Sequence, residues 1–267
     1  PSHGVAGGTL KVIRDVTREK LISRSKSEFI SIAAHQLRTP LSAIKWALHL
    51  LLSGDLGKIN DDQHNVVSEA FNTNEKMISL VNDLLNVARI EDGRFGYEFK
   101  KDDFHDMVAQ LISMSKSRAK EKNITLFFKD NTKDVSEFVF DQSKMSLALQ
   151  NLIDNAVKYT PEGGRVEVTL SHEKPYAKVT VTDTGIGIPK HQIARLFTKF
   201  FRAENVTRLP VTGSGLGLFI AHNIVSRHGG RMKVQSKEGS GTTFSIEIPM
   251  DETMIPAKDE IAASLYL

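Results

Sequence analysis

Ile30-Ser-Ile-Ala-Ala34-His35-Gln36-Leu37-Arg38-Thr39-Pro40-Leu41-Ser-Ala-Ile44-Lys-Trp-Ala-Leu48-His49-Leu-Leu51 carries apolar residues at 30, 34, 37, 41, 44, 48 and 51. These alternating steps of four and three keep one stripe on the face of a helix in a coiled-coil-like bundle. Gly54 and Gly57 stop the helix. A second stripe follows at Val67, Phe71, Asn74, Ile78, Val81, Leu85 and Ala88, ending near Asp92-Gly93. Two such helices form a hairpin. A lone hairpin buries only one narrow stripe, so the pattern predicts a homodimer whose two hairpins make a four-helix bundle. The alternative is that the rest of the same chain covers the stripe.

Beyond Gly96 the period changes from a helical one to two. Thr125 to Phe128, Phe138 to Phe140, Val166 to Leu170, Ala177 to Val181, Met232 to Val234 and Phe244 to Ile248 alternate or run apolar, as strands of a half-buried sheet do. Helical segments are predicted at about Phe104 to Lys122, Gln142 to Tyr159, Lys190 to Phe201 and Leu216 to His228. The fold class expected is thus α plus α/β, a helical hairpin followed by an α/β sandwich with helices on one face. The division reads as 1–17 linker, 18–92 hairpin, 97–250 sandwich and 251–267 tail, with a short helix in the tail.

Composition narrows the classes. The chain has 267 residues, 40% of them hydrophobic and 25% charged, as in an ordinary globular protein that can bury a real core. A net charge of +3, spread along the chain, gives no basic patch for nucleic acid. There is no cysteine, hence no disulfide framework, thiolate metal site or thiol nucleophile; a reducing, cytoplasmic setting is the default. The longest apolar stretch, Leu41 to Leu52, is broken by Ser42, Lys45 and His49, so no membrane segment is expected. A start at Pro1 rather than methionine, leading at once into a strand-like Leu10 to Ile13, reads as a piece of a longer protein.

Three glycine-bearing elements fall in order in the second half. In Asp183-Thr-Gly185-Ile-Gly187-Ile-Pro189 glycines allow a tight turn and close backbone approach, and a carboxylate can accept the amino hydrogens of adenine. Gly213-Ser214-Gly215-Leu216-Gly217-Leu218 opens a helix, whose free N–H groups and positive dipole end suit phosphate. It does not close a first βαβ unit, so its likeness to the dinucleotide fingerprint is superficial. Gly239-Ser-Gly241-Thr242 is either a third contributor or a hairpin turn. Upstream, Asn151, Asn155 and Lys158 share a helix face, beside Tyr159. A carboxamide oxygen suits a hydrated Mg²⁺ and a lysine suits phosphate; a plain polar helix surface explains the same residues.

Taken together, Asn151-Leu-Ile-Asp-Asn155-Ala-Val-Lys158-Tyr159, Asp183-Thr-Gly185-Ile-Gly187, Phe197-Thr-Lys-Phe200-Phe201-Arg202 and Gly213-Ser-Gly215-Leu-Gly217-Leu resemble, in order, the asparagine, first glycine, phenylalanine and second glycine boxes of the sensor histidine kinases of two-component systems. The resemblance implies a Bergerat-type ATP-binding fold. It places Mg²⁺ on Asn155 and adenine on Asp183, with Asn151, Gly185, Gly187 and the run Gly213, Gly215, Leu216, Gly217, Leu218 around the nucleotide. It also puts Lys158, Tyr159 and Arg202 near the phosphates and makes 190–212 a lid.

His35-Gln36-Leu37-Arg38-Thr39-Pro40-Leu41 resembles the same family's phosphoacceptor box. A neutral imidazole has a free lone pair for attack on phosphorus, whereas His49, His64 and His105 read as solvated. Pro40 removes a backbone N–H and is expected to kink the helix. Gln36 stands where most of the family carries an acidic residue; an amide accepts a hydrogen bond but cannot take the proton. Thr39 matches the position that in relatives orients water for dephosphorylating the partner, or it simply bonds the preceding turn.

The activity implied is ATP-dependent phosphorylation of His35 and transfer to an aspartate of a response-regulator receiver domain docked near it. A gyrase-like ATPase is the competing reading. Those enzymes place a glutamate four residues before the Mg²⁺ asparagine, and Asn151 there cannot act as a base. A scaffold or phosphatase-only relative is the third, suggested by Gln36. Asp15-Val-Thr17-Arg-Glu-Lys20 resembles the end of a PAS sensor domain, or is a capped helix start.

Overall fold

The computed structural model describes residues 17–132, 137–207 and 213–256, with side chains described at Ser25 and from Ser27 onward. The strand expected at Leu10 to Ile13, the PAS-like segment up to Lys20 except for its helical backbone from Thr17, and the tail beyond Pro256 lie outside that description.

Helix α1 (Thr17–Ser53) runs continuously through Pro40. Helix α2 (Asp61–Glu91) starts on a reciprocal cap, in which Asn60 Oδ1 accepts from the Gln63 N–H at 2.8 Å and Gln63 Oε1 accepts from the Asn60 N–H at 3.0 Å. Asp61 and Asp62 sit in its first turn, where the helix dipole favours negative charge. The two helices pack through Ala34, Leu41, Val81 and Leu85, with Ile78 against them. Asn74, inside the same stripe, donates from Nδ2 to the Leu41 carbonyl at 3.0 Å. Leu37 and Ile44 stay 50% and 47% exposed, so two of the seven stripe positions on α1 are only half covered by the described residues.

The second half is a layered unit. Strands β2 (Thr125–Asp130), β4 (Arg165–Glu173), β5 (Tyr176–Asp183), β6 (Arg231–Lys237) and β7 (Gly241–Pro249) form one sheet in the order β2-β4-β5-β7-β6, parallel only at β2–β4. A small ribbon pairs β1 (Lys100–Asp103) with β3 (Glu137–Phe140). Helices α3 (Phe104–Glu121), α4 (Gln142–Tyr159) and α6 (Gly217–Arg227) cover one face. The alternation in β4 explains this: Val166, Val168 and Leu170 are fully buried while the intervening residues are not. In α4, Met145, Ala148, Leu149, Leu152, Ile153, Ala156 and Val157 line the buried face. That leaves Asn151, Asn155 and Lys158 along its edge.

The segment expected as a helix over 190–201 is instead a 3₁₀ helix over Lys190–Arg195 followed by irregular chain and a short helix α5 (Glu204–Thr207). Its bonds skip three residues, as in Gln192 N–H to Pro189 O at 2.9 Å and Thr198 N–H to Arg195 O at 3.0 Å. The tighter spiral lets Ile193, Leu196, Phe197 and Phe201 all reach the core. In the tail, only a 3₁₀ turn, Glu252–Met254, is described.

Helix α2 serves both units. Its Val81 and Leu85 pack on α1, while Val87 and Ile90, with Leu84 beside them, belong to the core of the sandwich.

Candidate functional site

A cavity of about 570 Å³ opens between α4, the start of α6, the end of β5 and α2, within the size range of small-molecule sites, about 300 to 1,000 Å³. Its walls combine a polar corner with an apolar slot formed by Ile186, Ile188, Leu196, Val206 and Phe244.

Asp183 ends β5 at the mouth of that slot. Its Oδ1 accepts from the Gly185 N–H at 2.8 Å and the Thr242 N–H at 3.2 Å. Both bonds fall on one oxygen, which leaves Oδ2 to accept a donor in the cavity. Burial pushes the carboxyl up, and the two backbone bonds offset this in part. A buried carboxylate held this way is costly unless it has work to do.

The glycines divide into two roles. Gly187 lines the cavity, yet its φ of +64° and a Cβ that would lie 2.0 Å from the Lys237 carbonyl show that backbone packing also demands it. Gly185 and Leu216 are not on the cavity wall. Gly185 faces the Tyr159 carbonyl, and Leu216 is fully buried behind the wall. The Gly239 to Thr242 segment is both of the things its sequence allows, a β6–β7 turn and, through Thr242, part of the wall.

The polar corner gathers Asn151, Asn155, Lys158, Tyr159, Arg202, Gly213, Gly215, Gly217 and Leu218. A Cβ on Gly213 would lie 2.4 Å from Lys158 Nζ, and one on Gly217 would lie 2.9 Å from Asn151 Oδ1. The glycine loop therefore runs directly against the α4 side chains. Gly215 has φ +69° and fits against the backbone of Phe200 and Phe201, where Phe200 itself takes a left-handed φ of 62°. Burial lowers Lys158 to about 8, helped by Arg202 and Lys122 nearby. Two cations held together at a cavity wall would be relieved by an anion between them. Among the described residues Asn151 Nδ2 is buried without a hydrogen-bond partner, an unspent polar atom in the same corner. Asparagine oxygens fit a hydrated Mg²⁺, and such a donor fits the phosphate oxygens that arrive with it.

His35, Gln36 and Thr39 are exposed on α1 and lie off the cavity. Arg38, one turn on from His35, donates to Asn82 Oδ1 of α2. The next residue, Asp83, lines the cavity and accepts from Ser214 Oγ at 2.9 Å. Sequence reading missed this wall of α2, formed by Thr73, Lys76, Met77, Leu80 and Asp83. The one hint was an acid inside the apolar run Leu80-Val-Asn-Asp83-Leu-Leu85.

Residues 25–93 match the family described as the His Kinase A (phospho-acceptor) domain. Residues 140–252 match the histidine kinase-, DNA gyrase B-, and HSP90-like ATPase family. The sensor histidine kinase WalK of Bacillus subtilis is 33% identical over 266 residues, 97% of this chain and 42% of that protein. The chain thus spans less than half of that relative's length. Among solved structures, full-length ShkA in complex with AMPPNP is similar with a TM-score of 0.68 at 28% identity, over 83% of this chain and 45% of that one. Histidine kinase ThkA, in complex with the response regulator protein TrrA, shares the fold with a TM-score of 0.58 at 21% identity, over 88% of this chain and 64% of that one. Both halves of the chain, with their glycine boxes and the histidine box on a long helix, place it in one family: the chain belongs to the sensor histidine kinases of two-component systems.

Proposed function

We propose that the chain is a histidine kinase core, which transfers the γ-phosphate of ATP to His35 and then to an aspartate of a response-regulator receiver domain. The observation that carries this reading is the convergence of Asp183, Asn155, Lys158, Arg202 and the Gly213–Gly217 loop in one cavity, whose far wall is the helix bonded to Arg38. Asp183 Oδ2 accepts the adenine amino group, the apolar slot holds the ring, and the loop N–H groups face the phosphates. Asn155, with Asn151 beside it, would hold Mg²⁺, which when bound neutralises phosphate charge.

In the reaction a ring nitrogen of His35 attacks the γ-phosphorus. An N–P bond forms as the bond to the β–γ bridging oxygen breaks, and ADP leaves with that electron pair. The other ring nitrogen gives its proton to solvent, because Gln36 accepts a hydrogen bond but not a proton. Lys158 and Arg202 neutralise the charge on the leaving group. The two parts of the chain must move so that His35 comes within roughly 3 to 3.5 Å of phosphorus. The half-exposed Leu37 and Ile44 support a homodimeric bundle. The ThkA–TrrA complex supports a receiver domain as the partner. We assign the hairpin to 18–92, the nucleotide domain to 97–250 and a PAS end to 1–17, and give Thr39 a role in removing phosphate from the partner. No helix of the described residues is long and apolar enough to cross a membrane.

The test is incubation with γ-labelled ATP and Mg²⁺ beside His35→Gln. Acid-labile, alkali-stable label found only in wild type supports the kinase. Gln36 supports one competing reading, a phosphatase-only or scaffold protein, which ATP binding without label would favour. Replacing Gln36 by Glu should raise the initial rate of labelling.

A further inference from the structure

Asp83 is an anomaly in the site described above. Its carboxylate lines the same cavity as Lys158, Arg202 and the glycine loop, beside which the phosphates of a nucleotide would lie. Its side-chain bond among the described residues comes from a hydroxyl, Ser214 Oγ, and not from a cation. Ser214 stands between Gly213 and Gly215, so this bond ties the phosphate loop to α2; the same Oγ also accepts from the Leu216 N–H at 3.2 Å. Burial raises the Asp83 carboxyl, with Ser214 opposing the shift, so the charge is held at a cost.

A second tie lies about two turns further along α2, where Glu91 pairs with Lys199 of the 190–212 segment. Lys199 Nζ also sits 5.7 Å from the Phe219 ring of α6. Between the two ties, Val87 and Ile90 are buried in the core of the sandwich. The nucleotide domain is therefore docked on its own hairpin by an apolar strip with a polar contact at each end.

We infer that Asp83 is a positioning residue which holds the glycine loop in this docked arrangement and opposes the nucleotide's phosphates by its charge, so that docking on α2 and occupancy by ATP weaken each other. The inference rests on the nucleotide reading of the cavity. A carboxylate and a triphosphate in one partly dry cavity repel, because charges act far more strongly there than in bulk water. Coupling of this kind is reciprocal: docking weakens phosphate binding by the same factor by which bound phosphates weaken docking, so loosening the docked state tightens phosphate binding.

The experiment is calorimetric titration of the full chain with Mg²⁺ and a non-hydrolysable ATP analogue, ADP or adenosine. Asp83→Asn keeps an oxygen for Ser214 and removes the charge. It should bind the ATP analogue roughly tenfold more tightly, ADP less so, and adenosine as wild type does. Lys199→Gln separates coupling from plain electrostatics. It removes a positive charge, so electrostatics alone predicts weaker phosphate binding, whereas release of the second tie predicts about twofold tighter binding. An Asp83→Asn effect of equal size for all three ligands, or none, overturns the inference. So does weaker binding of the ATP analogue by Lys199→Gln. If wild type binds none of the three, the nucleotide reading itself is what fails.

Discussion

The sandwich and the hairpin solve the problem of apolar burial in opposite ways. In the sandwich, Leu149, Leu152, Ile153, Ile220 and Ile246 are all at most 1% exposed, and three helices on one sheet face complete the core within a single chain. In the hairpin, Ala34, Leu41, Val81 and Leu85 form a small cluster, and Leu37 and Ile44 on the same stripe are left half exposed. A sheet offers a broad face that helices of the same chain can cover. A pair of helices offers a line, and its exposed positions are left for the second copy of the proposed dimer to cover. The comparison teaches where stability is local to the chain and where it depends on association.

The comparison can be broken at its strong end first. Leu152→Ala in the fully buried face of α4 should cost about 2 to 5 kcal/mol, read as a loss of unfolding free energy that does not change with protein concentration. A loss that does depend on concentration would mean that the sandwich is not self-sufficient. Leu37→Asp should leave the unfolding of the sandwich unchanged but weaken self-association about a hundredfold, as measured by sedimentation equilibrium. Unchanged association would show that the half-exposed stripe positions are not the dimer face.

Smaller effects sharpen the contrast. Asn74→Ala removes a buried bond to the Leu41 carbonyl and should cost the hairpin about 1 to 2 kcal/mol, seen as a lower helix melting temperature by circular dichroism. The counterpart in the sandwich is His228, which is 1% exposed. Its Nε2 accepts from the Asp141 N–H at 3.0 Å and its Nδ1 donates to the Ile224 carbonyl at 2.7 Å, an arrangement only the neutral ring can make. Burial lowers its pKa below the ordinary 6.5, against smaller opposing effects of the Ile224 bond and Asp141. The unfolded state therefore binds the proton first. The stability is intact above about pH 6.5 and declines as pH falls below it, by at most about 1.4 kcal/mol per pH unit. Melting curves at pH 7.5 and 5.5 should show this decline, reduced in His228→Gln. His222, also lowered by burial, adds to it in the same direction, so His222→Gln is the companion variant.

Much of this was legible in the chain itself. The steps of four and three through Leu37, Leu41 and Ile44, the period of two through Val166, Val168 and Leu170, and the glycines before α6 are local patterns, because a helix or strand repeats its own environment at a fixed interval. The shared face of Asn151, Asn155 and Lys158 followed from helix geometry alone, and these side chains do line one cavity with the Gly213–Gly217 loop. What failed locally was set elsewhere. Strand β1 reads Lys-Lys-Asp-Asp and has no apolar alternation; it exists because β3 supplies a partner and Asp103 caps α3. The 3₁₀ course of Lys190–Arg195 replaced an expected α-helix because four apolar side chains had to meet one core.

The sequence by itself determined the two kinds of unit, their order and the residue chemistry of the polar corner, since residue type and spacing act over one or two turns. Only the tertiary structure decided that α2 divides its faces between two cores, that Gly185 and Leu216 stand behind the wall rather than on it, and that Asp83 meets Ser214. Contacts between residues more than a hundred positions apart leave no period in the chain; they exist only once packing has brought the segments together.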